Sequence, residues 1–103
     1  MTQVLLKEHV STYEIVAKGH ATGSTEVCAA VSMLMTAVAN WNQIYGSGDL
    51  LPSELKPGYA RVKLRKADEG AKAIWELVNV AFHALAESDK NFLKKVQKLG
   101  QES

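Results

Sequence analysis

The chain has 103 residues, enough for one domain with a modest core. Hydrophobic residues make up 47% and charged residues 22%, which excludes a disordered chain, and a net charge of +1 excludes a strong pull towards nucleic acid or a membrane surface. The single cysteine excludes an internal disulfide and a multi-cysteine zinc site, and a free thiol suits a reducing cytoplasm.

Residues 1–103 read as one domain without repeats or low-complexity segments. The opening MTQVLLKEHV lacks the long apolar core of a secretory signal, and the most apolar window, Val27 to Ala39, is too short to span a bilayer. Gln3 to Glu8, with Val4, Leu5 and Leu6, reads as a first strand. His9 to Ser11 reads as a turn with a solvated histidine. Thr12 to His20 reads as a second strand, because Tyr13, Ile15 and Ala17 alternate with Glu14, Val16 and Lys18. Strict alternation places His20 with Glu14 and Lys18; a bulge or unusual φ at Gly19 relaxes that parity.

Thr22 to Glu26 is a small polar loop. A helix follows, with Val27, Ala30, Val31, Leu34, Val38 and Trp41 as its buried stripe and Thr25 as a natural N-cap. Cys28 is then the third helical residue, inside the turn whose amides lack partners, and Ser32 shares its face. Gly46 and Gly48 end the helix. Leu50 to Leu55 fits a short strand, Lys56-Pro57-Gly58 a turn, and Tyr59 to Arg65 a clear strand with Ala60, Val62 and Leu64 on one side. Asp68 reads as the cap of a second helix running to about Glu87. Its stripe is Ala71, Ile74, Leu77, Val78, Ala81 and Leu85, widened by Trp75 and Phe82. His83 shares a polar face with Glu76, Asn79 and Glu87. Asp89 to Leu99 fits either a short helix or an extended segment. The order ββαββα implies a two-layer α+β domain: two helices packed on a mostly antiparallel four-stranded sheet.

The stretch Gly19 to Ser32, GHATGSTEVCAAVS, concentrates the chemistry. A thiol becomes a strong nucleophile at a helix N-terminus or beside an imidazole, and here both stand close in sequence. The seven residues between His20 and Cys28 span roughly 20 Å when extended, enough to turn back and join the side chains. A lone helical cysteine is otherwise a small buried hydrophobe. His20 alone is a strand-end residue, Gly19 a backbone-shaping one, and Ser32 a hydroxyl bonding the preceding turn. The three histidines lack metal-ligand spacing, so no metal or other cofactor is expected. The Arg61, Lys63, Arg65, Lys66 row lacks interleaved aromatics and reads as a solvated strand face, so direct nucleic-acid binding is not expected.

The GHA, short loop and VCAAVS resemble the ribosomal-processing cysteine protease (Prp) family. The likeness runs over most of the chain, but only this motif is specific. It implies a small cytoplasmic thiol protease, homodimeric, that removes an N-terminal extension from a ribosomal large-subunit protein during ribosome biogenesis. Phage relatives act on structural proteins such as capsid or scaffold. It further implies Cys28 as nucleophile and His20 as its base, with Gly19, Thr25, Glu26 and Ser32 in support. Two departures stand out. His20 and Cys28 are eight apart where the family has a longer gating loop, and Thr25 occupies the position of an acid. Thr25 caps but carries no charge; Glu26 is the adjacent carboxylate. The alternative is a non-catalytic binding or assembly module that retains the fold.

Overall fold

A computed structural model describes residues 2–19, 25–90 and 92–98. Its elements are β1 (Thr2–Glu8), β2 (Thr12–Lys18), α1 (Thr25–Tyr45), β3 (Glu54–Lys56), β4 (Tyr59–Arg65), α2 (Ala71–Ser88) and β5 (Phe92–Lys98). The strands form one sheet in the order β3-β4-β2-β1-β5. All pairings are antiparallel except β1–β5, which is parallel. The α+β class holds. The four-stranded ββαββα arrangement is corrected to a five-stranded mixed sheet in ββαββαβ order.

The fifth strand has a tertiary cause. Asp89 takes extended backbone (φ −140, ψ 121) and stops α2. The chain then meets the open edge of β1, whose backbone groups need partners. Phe92 anchors this strand by stacking near Phe82, with ring centroids 6.0 Å apart. Lys94 donates to the Asn79 carbonyl at 3.1 Å, tying β5 to α2.

The helices lie over the sheet face made by Val4, Leu6, Ile15, Ala17, Val62 and Leu64, all buried. Tyr13 stacks on Trp75 at 4.7 Å, joining β2 to α2. On α1 the buried row is Val27, Val31, Met35, Val38 and Ala39, with Leu34 and Trp41 only partly covered. Asn42 is also buried. Its side-chain amide donates to the carbonyls of Lys63 (3.1 Å) and Leu51 (3.3 Å), and its backbone carbonyl accepts from the N–H groups of Gly46 and Gly48. This polar residue therefore closes α1 against the sheet. On α2 the buried set is Ala71, Trp75, Val78 and Phe82. Leu77, expected inside, is 63% exposed, because Trp75 and Phe82 rotate the buried arc away from it. The cap of α2 is Gly70 with φ 88, not Asp68. Asp68 accepts instead from the Ser47 hydroxyl at 2.9 Å.

The segment 50–55 yields strand only from Glu54 onward. Pro57-Gly58 joins Lys56 to its partner Tyr59, and Gly58 has φ 79. Proline followed by a left-handed glycine is a type II turn. Its twist splays flanking strands, which fits a β3 of only three residues. No helix among the described residues is long and apolar enough to cross a membrane.

Candidate active site

β2 ends at Lys18, and Gly19 adopts φ 72, a left-handed conformation that costs any other residue about 1–2 kcal/mol. The strand alternation therefore stops before position 20. The Gly19 N–H donates to the Gly58 carbonyl at 2.8 Å, so the β2 exit is fixed against the β3–β4 turn. His20 lies outside the described residues, as do residues 21–24.

The chain is described again from Thr25, the first residue of α1. Thr25 is therefore inside the helix rather than its cap. Cys28 becomes the fourth helical residue. That is one place past the amides that a helix start leaves free, so the N–H groups of Thr25 to Val27 are the nearer candidates for holding an anion. Cys28 is a free thiol of intermediate exposure. Glu26 is exposed in the same first turn.

Cys28, Ser32, Met35 and Thr36 follow each other at helical spacing along one border of the buried row. One turn past Cys28 this border opens on a cleft of about 260 Å³, lined by Ser32, Met35 and Thr36 from α1 and by Leu55, Lys56, Pro57 and Ala60 from the β3–β4 hairpin. The structure thus places Cys28, Ser32, Gly19 and the hairpin turn on linked elements. Thr25 and Glu26 lie in the turn leading to Cys28. The hairpin wall was not among the expected site residues, although the Lys56-Pro57-Gly58 signal marked its turn.

Sequence reading also missed a buried charged group behind the sheet. His9 is 2% exposed and Glu14 5%, against the expectation of a solvated turn histidine. His9 Nε2 lies 2.9 Å from Glu14 Oε1, and Arg61 Nε donates to Glu14 Oε2. Arg61 also reaches Glu54 at 3.7 Å. Burial alone would push the Glu14 carboxyl up. The hydrogen bonds from Arg61 and His9, with the charges of Arg61 and Lys7, outweigh it and hold the carboxyl below its ordinary range. The bond to Glu14 in turn raises Arg61. β2 is central, flanked by β1 and β4, and long stems such as Arg61 lie across its outer face. That is why Glu14 and Val16 are buried where alternation alone expected a solvated face. His83 stays exposed and pairs with Glu87 at 2.8 Å. Among the described residues no three His, Cys, Asp or Glu side chains are grouped so as to hold a metal ion.

No protein-family model and no curated protein matches the sequence. Solved structures do match its shape. SMU.848 from Streptococcus mutans aligns with a TM-score of 0.69 at 23% identity, over 95% of this chain and 98% of that one. The essential ribosomal processing protease Prp from S. aureus, in complex with a substrate peptide, aligns with a TM-score of 0.66 at 14% identity, over 95% and 99%. The same protease with a covalently linked product peptide gives 0.66 at 16% identity, over 93% and 99%. The fold is Prp-like. At these identities the likeness is one of fold, carried by the whole domain rather than by a shared sequence.

Proposed function

We propose that the protein is a cysteine endopeptidase with Cys28 as nucleophile and His20 as general base, acting on an N-terminal extension of a ribosomal large-subunit protein or on a phage structural protein. The observation that carries this reading is a half-buried free thiol near the start of α1, within a fold matched end to end by a protease that has been crystallised with peptides. Cys28 Sγ attacks the scissile carbonyl while His20 takes the thiol proton. The carbon–nitrogen bond then breaks, the leaving amine receives that proton, and a thioester remains on Cys28. Water hydrolyses the thioester, releasing a carboxylate and restoring the thiol. The first-turn amides of α1 stabilise the oxyanion. The enzyme works in the cytoplasm as a homodimer.

The test is incubation with a ribosomal large-subunit precursor that keeps its N-terminal extension, and separately with a phage capsid or scaffold protein. The reading expects cleavage at one bond that is lost in Cys28→Ala and in His20→Ala. Cleavage that survives Cys28→Ala ends it. Thr25, neutral where the Prp motif has an acid, favours the second reading: a binding module that retains the fold, which binds such a protein without cutting it.

A further inference from the structure

The outer face of the sheet carries a charge that the near-neutral total conceals. Residues directly opposite on neighbouring strands point to the same side, so the register shows which side chains share this face. Glu14 lies between Lys7 and Lys63. Val16 lies between Leu5 and Arg61, with Lys95 beyond Leu5 and Glu54 beyond Arg61. Lys18 lies between Gln3 and Tyr59, with Lys56 beyond Tyr59, and Arg65 stands opposite Thr12. Glu14 and Val16 alternate with Ile15 and Ala17, which belong to the core under the helices. Among the described residues no helix or strand lies over the outer side.

Seven cations thus share one face with two carboxylates, a surplus of five on a chain whose net charge is +1, so the other residues together carry −4. Both carboxylates meet Arg61, and Glu54 also lies 3.8 Å from Lys56. Lys7, Lys18, Lys63, Arg65 and Lys95 make up the surplus. Read along the chain, only the β4 row stands out; the lysines of β1, β2 and β5 join it through strand pairing, which overturns the expectation drawn from that row alone. A second copy is a poor occupant, since a two-fold contact would set like charge on like charge. So is an ordinary protein surface, because five of the seven cations are lysines, which interfaces disfavour. A membrane needs an apolar anchor beside the charge, and Leu93 is the one exposed large apolar side chain on the described face. A single nucleic-acid strand fits better. Arg61, Lys63 and Arg65 are spaced roughly 6.6 Å apart along β4, comparable to the step between phosphates of an unstacked strand. Half-buried Tyr59 offers a ring for a base, and the amides of Gln3 and Gln97 can bond the 2′-hydroxyl of RNA.

We propose that the outer face of the sheet binds single-stranded RNA, held through its phosphates and without strong sequence preference. The face lies on the far side of the sheet from α1, so a bound strand leaves Cys28 and its cleft uncovered. The inference stands or falls apart from the chemistry of the thiol.

The experiment follows the fluorescence anisotropy of a labelled oligouridine of about 12 nucleotides on the full chain, as salt rises from about 50 to 200 mM. With about four or five phosphates neutralised, log K falls against log salt with a slope of about −3, a loss of roughly 60-fold over that range. The triple variant Lys18→Glu, Arg65→Glu, Lys95→Glu weakens binding at least about tenfold and reduces the slope by about 2. A control triple of equal net charge, Lys72→Glu, Lys90→Glu, Lys98→Glu, lies off the face and leaves the slope unchanged. All six lysines and arginines are exposed, and circular dichroism checks that each variant is folded. Arg65→Gln alone reduces the slope by about 0.7 and serves if a triple variant unfolds. Equal losses in the two triples, or no binding even at about 50 mM salt, overturn the proposal. The deoxy strand of the same length binds more weakly, and equal binding removes RNA as the occupant. Binding to phosphatidylserine vesicles or to polyglutamate that matches binding to the RNA at equal anionic charge also overturns it, giving the face to a membrane or to an acidic protein.

Discussion

The two faces of the sheet treat their reactive groups in opposite ways. Behind the sheet, Glu14 is buried and each carboxylate oxygen is bonded, one near His9 and the other to Arg61. In front, Cys28 remains a free, half-buried thiol at the head of a helix whose next turn opens on a cleft. Buried charge that is fully bonded holds a structure together. A thiol left partly accessible beside a concave surface is available for chemistry. The polar residues that matter for stability and those proposed for catalysis thus occupy different layers, and substitutions should separate them.

The largest separation comes from Cys28→Ala. Peptide cleavage falls at least about a thousandfold, as expected when a covalent nucleophile is lost. The urea midpoint should hardly move, since a small side chain replaces a small, half-buried one. A loss of stability comparable to the loss of activity would put Cys28 in the structural class instead.

Glu14→Gln should do the opposite. It removes the charge from hydrogen bonds that are worth about 2 kcal/mol to a charged group, and lowers the urea midpoint accordingly. The catalytic rate of the remaining folded protein should be close to wild type. The pH dependence sharpens this result. Because the folded Glu14 carboxyl lies below its unfolded value, the unfolded chain binds more protons as pH falls, and the stabilisation is present above about pH 4.5 and lost below it. The gap between wild type and Glu14→Gln should therefore shrink between pH 6 and pH 3. A constant gap would assign the effect to packing rather than charge.

Gly19→Ala tests the seam between the two layers. The left-handed φ costs about 1–2 kcal/mol with a side chain, and the shift should also weaken the bond to Gly58. Cleavage should drop more than stability if the β2 exit positions the histidine that follows it. The smallest effect belongs to His83→Ala, which breaks an exposed contact with Glu87 worth under about 0.5 kcal/mol.

Much of the fold was legible because its signals were local. The alternation of Tyr59 to Arg65 and the Pro57-Gly58 turn appear where the residues put them. The pattern failed where a partner element decided the outcome. β5 exists because the chain returns to the β1 edge, which no window around Phe92 reports. Leu77 is outside because Trp75 and Phe82 claim the inward arc of α2. His9 and Glu14 are buried because Arg61, far along the chain, closes over them. Around the candidate site, the places of Cys28 and Ser32 on a helix were readable from their spacing, and the left-handed turn at Gly19 from its freedom of φ. The hairpin wall was not, because β3 reaches α1 only through the tertiary fold. His20 lies outside the described residues, and its pairing with Cys28 is a proposal drawn from the motif alone.

The most direct test of the central claim is a digest of bacterial and phage-infected lysates with wild-type protein and with Cys28→Ala, read by sequencing the new N-termini. The account predicts a small set of new termini that appears with the wild type and is absent with the variant. Identical termini from both proteins, or none from either, would contradict it.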